Sequence, residues 1–229
     1  MKRNTLFKIN VVIAFVLLFL NGCTTEKKDL EQLCEDLDGS YECAQKIEQH
    51  QLLVYNDIVS RIDNKLILKR ENNIDIVLQD VEKDVEGVHY LFRDYLEEIN
   101  SYLVFIQYYE GGDYCLINKH SGQKIIIPGL VKISPDKNRF VSYNQDIEAM
   151  FSTNGFVIYK LLDNSFVKEY EVELSDWGPS NAEWLDDNNI EFEKYSWDGK
   201  SYGIHGKVIY EYDNTWKIKP KVQVQLFTS

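Results

Sequence analysis

The sequence predicts a mainly β domain: a small or incomplete propeller-like stack of antiparallel sheets, about four, behind a short N-terminal helical hairpin. Three observations predict it. Aromatics are abundant (15 Tyr, 11 Phe and 4 Trp) and prolines few (4), a composition that suits pleated strands. From residue 52 onward, short apolar runs alternate with Asx- and Gly-rich turns. Segments also recur about 50 residues apart, the period of a multi-stranded repeat unit. A two-sheet β-sandwich is the alternative.

Residues 1–22 begin with Met1-Lys2-Arg3 and carry an apolar run from Val11 to Leu20. That run is roughly half the ~20 residues needed to span a bilayer, so it reads as an export signal. Its end, Leu20-Asn21-Gly22-Cys23, resembles the lipobox of bacterial lipoproteins. The resemblance implies cleavage before Cys23, fatty acylation of that residue (palmitate among the chains) and a lipidated tether over 23–28. Thr24, rather than Asp, follows the cysteine, which in such lipoproteins implies sorting to an outer membrane, facing the periplasm. Each buried methylene contributes about 0.8 kcal/mol, so two or three chains anchor the protein firmly.

Removing residues 1–22 takes away Lys2, Arg3 and Lys8 and leaves 22 Lys and Arg against 37 Asp and Glu, a net charge of about −15. That field repels phosphate backbones and anionic headgroups, so nucleic acid is not an expected partner. A basic protein is attracted instead.

The hairpin is expected over 29–51. Leu30, Leu33, Cys34 and Leu37 share a helical face, with Asp29 and Gln32 spaced as in a capping box. Asp38-Gly39 ends that helix, and Ser40 starts a second one carrying Cys43, Ala44 and Ile47. Cys34, Cys43 and Cys115 allow three pairings; Cys34–Cys43, nearest in sequence, is the expected disulfide in an oxidising envelope. Cys115 sits in an apolar run and reads as a buried, inert thiol.

Within the β-rich domain (52–229), strands are expected at Leu66–Lys69, Ile74–Leu78, Leu103–Tyr108, Tyr114–Asn118, Lys124–Ile127, Arg139–Tyr143, Phe156–Leu161, Phe166–Val172, Ile190–Glu193 and Val208–Tyr212. Val222–Leu226, alternating with Gln223 and Gln225, is a candidate edge or closing strand. Ser134-Pro135-Asp136-Lys137-Asn138 precedes one apolar strand, and Trp184-Leu185-Asp186-Asp187-Asn188 precedes another. Gly155–Lys160 likewise matches Gly206–Glu211, and an earlier copy begins at Asn100. These turns resemble the blade signature of TolB-type and WD40-like β-propellers. They depart from it at Lys137 and Asp187, where glycine is usual, and the chain has room for about four blades, not six.

The chain lacks P-loop, dinucleotide, nucleophile-elbow and H-E-x-x-H motifs. His50, His89, His120 and His205 have no metal-ligand spacing, and neither Asp136 nor Asp186 continues as an EF-type loop, so no metal or cofactor is expected. Both fit Asx turns. Carboxylate pairs such as Glu97-Glu98, Asp186-Asp187 and Glu191 with Glu193 carry no catalytic signal in so acidic a chain, and enzyme activity is not expected.

Two aligned loops stand out: Gln145–Gly155, with Asp146, Glu148, Met150 and Phe151, and Tyr195–Gly206, with Tyr195, Trp197, Tyr202 and His205. Equivalent loops in stacked repeats emerge on one side, often the binding face. Acid-bordered aromatics suit a protein interface or sugar stacking. Trp177 is a lesser candidate, reading better as core. The expected function is that of a non-enzymatic, membrane-anchored scaffold or binding lipoprotein. An immunity-type lipoprotein neutralising a periplasmic toxin or lysozyme-like hydrolase is the alternative. Cys23→Ser is expected to move the protein from the detergent phase to unacylated precursor or soluble material on phase partitioning; unchanged partitioning would sink the lipobox reading.

Overall fold

In the computed structural model the described residues are 30–35, 37, 40–83 and 86–219. The signal segment, Cys23, the tether and the Val222–Leu226 run lie outside them. The chain divides after Leu37. Before that point, Leu30–Cys34 form a 3-10 helix in place of the expected α-helix. Five residues close too few i to i−4 bonds to repay nucleation of an α-helix. Cys34 and Cys43 are both disulfide-bonded.

Among the described residues of the second unit, α1 (Ser40–Val54) leads into fifteen strands. They are β1 (Val59–Ile62), β2 (Lys65–Leu68), β3 (Ile76–Gln79), β4 (His89–Leu96), β5 (Ser101–Gln107), β6 (Gly112–Asn118), β7 (Lys124–Ile127) and β8 (Leu130–Ile133). The rest are β9 (Arg139–Asn144), β10 (Gly155–Leu162), β11 (Ser165–Glu173), β12 (Gly178–Asp186), β13 (Asn189–Trp197), β14 (Tyr202–Tyr212) and β15 (Trp216–Ile218). They pair as four antiparallel meanders: β1-β2-β3, β4-β5-β6-β7, β8-β9-β10-β11 and β12-β13-β14-β15. The result is mainly β and propeller-like, with the sheets not closed into a ring.

The sequence repeat coincides with this architecture. The Ser134–Asn138 motif is the β8–β9 turn, the Asp186–Asn188 motif is the β12–β13 turn, and the matched Gly155 and Gly206 segments are β10 and β14. Asp136 accepts the Asn138 amide and the Ser134 hydroxyl at 3.0 and 2.6 Å, and Asp186 accepts the Asn188 amide at 2.8 Å. Both are therefore Asx turns, as expected. Lys137 lies at φ +59°, a left-handed conformation that glycine adopts without steric cost. The two turns also meet, the Asp136 amide donating to Asp187 Oδ1 at 2.9 Å.

Three apolar layers separate the four sheets. Val59, Leu66, Leu68 and Leu78 face Phe92, Tyr102, Val104 and Ile117. Leu116 and Ile127 meet Phe140, Val157 and Phe166. Val141, Phe156 and Ile158 meet Ala182, Ile190, Phe192 and Tyr210. Free Cys115 is buried in the first layer, and that burial pushes its thiol up to about 11, which leaves it protonated and unreactive at neutral pH.

β4 is the edge of its sheet, yet α1 packs over it and hides its outer backbone groups from water. Side chains supply what a neighbouring strand would. Glu48 Oε1 accepts the Phe92 amide at 2.9 Å, and Gln51 donates to the Arg93 carbonyl at 2.9 Å. Asp80 Oδ1 accepts the Tyr90 amide at 2.8 Å, while Arg61 donates to the Tyr90 carbonyl. Arg61 also forks onto Glu48 (2.7 and 2.9 Å) and reaches Asp80 at 2.9 Å. Removing one member of a buried pair leaves the others charged and unpaired, typically at about 3–5 kcal/mol. Arg61→Met is therefore expected to lower the urea midpoint by an amount equivalent to about 3 kcal/mol with an unchanged slope. Arg61→Lys should recover only part of that, since an ammonium cannot fork across two carboxylates. A wild-type midpoint in Arg61→Met would show that the clip is dispensable.

Candidate functional site

In a meander, successive turns alternate between the two ends of the sheet. The β5–β6, β9–β10 and β13–β14 connections therefore share one end, and the sequence-predicted loops are two of these three.

The first, between Asn144 and Gly155, is an ordered connection built on Asp146. Its carboxylate accepts the backbone amides of Met150, Phe151 and Ser152 at 3.0, 2.8 and 2.6 Å and the Ser152 hydroxyl at 2.9 Å. Partial burial opposes ionisation of Asp146, but the Ser152 amide and hydroxyl and the Phe151 and Met150 amides together hold it below the usual carboxylate range. Asn154 ties the loop to the connection between β11 and β12, accepting the Asp146 amide and donating to the carbonyls of Leu174 and Trp177. Met150 is held at φ +56°, an uncommon conformation for a side chain of its size. The loop thus presents Met150 and Phe151, 81% and 82% exposed, from a fixed base.

The second expected loop, Tyr195–Gly206, is a hairpin tip instead. β13 runs on to Trp197, β14 starts at Tyr202, and only Asp198–Ser201 turns between them. Asp198 accepts the Lys200 and Ser201 amides, and Gly199 takes φ +97°. Gly206, at φ +112°, lies opposite a break in the β13–β14 register, so a glycine that signalled a loop marks a bulge. Trp197 pairs with Tyr202 and Tyr195 with Ile204, which places all four on one face. The rings of Tyr195 and Tyr202 stack at 5.9 Å and 7°, and Trp197 lies 5.2 Å from Tyr202. Trp197 and Ile204 remain 54% and 56% exposed.

The two segments meet: the Tyr195 hydroxyl donates to Glu148 Oε1 at 2.7 Å, and that bond raises the phenol pKa. Of the eight predicted loop residues, Asp146, Glu148, Met150, Phe151, Tyr195, Trp197 and Tyr202 therefore belong to one aromatic, acid-bordered surface. His205 does not, since its strand position points it away with Gly203. Ile204 belongs and was missed, although it is two residues from Tyr202 in a strand pattern. Trp177 is buried in the layer between the last two sheets.

Among the described residues, no group of three or more His, Cys, Asp or Glu is placed to hold a metal ion, and no helix is long and apolar enough to cross a membrane. Glu191 and Glu193 are bridged by Lys207 on the outer side of β13, at 2.6 and 3.9 Å. No family model matches the chain, and no curated protein matches it. Among solved structures it is similar to the crystal structure of the N-terminal domain of Nup159, at 9% identity and a TM-score of 0.32. That match covers 71% of this chain and 47% of that one.

The Asp146 cradle sets a local expectation. Asp146→Ala should expose the Met150-Phe151 segment to chymotrypsin, raising the cleavage rate after Phe151 by about tenfold or more while the global melting temperature stays within a few degrees. Unchanged cleavage would mean that the carboxylate does not order the loop.

Proposed function

We propose that this chain is an envelope lipoprotein, anchored through acyl chains on Cys23, that binds another macromolecule without catalysing a reaction. The single observation that carries the binding role is the set of exposed side chains Met150, Phe151, Trp197, Tyr202 and Ile204 at one end of the stack, on two segments joined by the Glu148–Tyr195 bond. Large apolar side chains are expensive to leave in water, and each buried Å² contributes about 25 cal/mol when a partner covers it. Trp and Tyr anchors dominate the energetics of protein interfaces. The Asp146 cradle fixes the backbone beneath Met150 and Phe151, and the Glu148–Tyr195 bond ties that segment to the neighbouring hairpin, which reduces the ordering cost of association.

The acidic border supports one specific form of the proposal, an inhibitor or immunity-type lipoprotein that captures a basic toxin or hydrolase entering the periplasm. A scaffold for an envelope complex is the more general form. The test is affinity capture on the full chain in nonionic detergent, compared with the Trp197→Ala/Tyr202→Ala variant. The variant should lose about 2 kcal/mol or more of binding to its partner, roughly a 30-fold fall in affinity. Its melting temperature should change little, because the rings are at the surface. A large fall in melting temperature would assign the rings to structure; unaltered capture would remove this face from function.

A further inference from the structure

We infer that the contact surface spans all three four-stranded sheets by taking in the Tyr108-Tyr109 turn, and that its occupant is a cationic protein surface. This rests on the binding role proposed above and names the partner's chemistry.

The β5–β6 turn is the topological equivalent of the two segments already described, and it emerges at the same end. It too exposes a pair of large side chains, Tyr108 at 36% and Tyr109 at 68%. Its geometry is fixed: the Tyr108 amide donates to the Gly111 carbonyl at 3.1 Å, Gly111 turns at φ +74°, and the Tyr108 hydroxyl donates to Asp113 at 3.1 Å. Asp113 in turn lines a cleft of about 450 Å³ with Met150, Phe151, Ser152 and Glu173, so the first turn adjoins the second. The Glu148–Tyr195 bond joins the second to the third. Three consecutive sheets thus present Tyr-Tyr, Met-Phe and Trp/Tyr pairs at one end of the stack, linked in turn through the Tyr108–Asp113 and Glu148–Tyr195 bonds.

The opposite end differs in kind. Its β4–β5, β8–β9 and β12–β13 turns are closed by Asn100, Asp136 and Asp186, and Asn100 and Lys137 turn at positive φ. Those turns carry no exposed aromatic pair. Fold geometry alone therefore does not require rings at turns, and their restriction to one end points to contact.

Charge selects the occupant. Residues 108–113, 145–154 and 195–206 hold Glu110, Asp113, Asp146, Glu148 and Asp198 against one cation among their Lys and Arg, Lys200, and Lys83, which shares a cleft with Tyr108 and Tyr109, is paired with Glu86 at 2.8 Å. Glu173 adds a further carboxylate in the cleft. Lys and Arg side chains satisfy both halves of such a surface: the stem and cation lie on ring faces, and the head group reaches a carboxylate. A complementary field also speeds encounter and makes binding sensitive to salt.

The test uses the full chain in nonionic detergent and three small basic probe proteins: lysozyme, ribonuclease A and cytochrome c. Each is also supplied succinylated, which reverses its lysine charge on the same scaffold, and chitotetraose is the sugar probe. At least one basic probe should bind at 50 mM salt, weaken about tenfold or more at 500 mM, and fail to bind when succinylated. Tyr108→Ala/Tyr109→Ala and Trp197→Ala/Tyr202→Ala should each weaken it by about tenfold or more. Tyr109→Ala alone, at the more exposed ring, guards against misfolding of the double variant. Loss in Trp197→Ala/Tyr202→Ala but not in the Tyr108 and Tyr109 variants would overturn the three-sheet surface and leave the binding role standing. Binding of no basic probe, equal binding of succinylated probes, or salt-indifferent binding of chitotetraose would overturn the cationic occupant. A captured macromolecule indifferent to every ring variant would sink the binding role itself.

Discussion

Each interior strand of the two middle sheets must satisfy two apolar layers at once, and the rest of the architecture follows from that constraint. On β10, Phe156 and Ile158 enter the layer shared with the last sheet, while Val157 and Tyr159 enter the layer shared with the second. On β6, Cys115 and Ile117 point one way and Leu116 the other. A strand buried on both faces cannot alternate apolar with polar, so it reads as a continuous apolar run. It also cannot slip by one residue without exchanging the contents of two layers. Stacking is thus fixed by the sheets' own faces, and the connections need only be short.

The ends of such a stack pose the opposite problem. At the first boundary, α1 covers the edge of β4, and its backbone groups need partners that a helix backbone cannot give. Glu48, Gln51, Arg61 and Asp80 provide them, taking the amides of Tyr90 and Phe92 and the carbonyls of Tyr90 and Arg93. Four side chains from a helix, β1 and the segment after β3 stand in for a missing strand. A buried charge cluster is costly in itself, but here its oxygens and nitrogens are occupied by backbone as well as by each other, which is the condition under which such clusters persist. A second ionic group acts further along: Arg139 binds Glu169 at 2.8 Å and lies 4.5 Å over the Tyr212 ring, joining the third sheet to the fourth.

These two regimes explain what was legible in the sequence. The interior strands β5, β6, β9 and β10 announce themselves as apolar runs, whereas β13, in the last sheet, is legible as alternation, Ile190 and Phe192 facing in and Glu191 and Glu193 facing out. The strands that the sequence reading passed over, β1, β4, β8, β12 and β15, are all edges of their sheets. Edges have one partner and tolerate what interior strands reject. β12 opens with Gly178-Pro179 and carries Asn181 and Glu183 outward; β4 is interrupted by Arg93-Asp94 at a register shift. The Glu48–Arg61–Asp80 clip was not legible, because its members are 13 and 19 residues apart and look like ordinary surface charge. At the candidate site the aromatic types were readable but their setting was not. Three glycines between Tyr195 and Lys207 suggested a loop, whereas one turns a hairpin and another fills a bulge. Only the resulting alternation shows that Ile204 joins the platform and His205 leaves it.

Placement of rings is where the physical and functional arguments converge. A turn needs only a residue able to take the required φ and a polar group to close it, as Asn100 and Asp186 show at one end. Aromatic side chains at the other end add nothing to that closure. They are also held in place: a carboxylate gathers three amides beneath Met150 and Phe151, and the Tyr195 phenol is fixed to Glu148. The outer side of the last sheet shows how the same chain treats a surface left to water, with Glu183 exposed and Glu191 and Glu193 bridged by Lys207. Against that background, a preorganised apolar rim set among carboxylates is a surface shaped for contact, and the sign of its border argues that what it meets is positively charged.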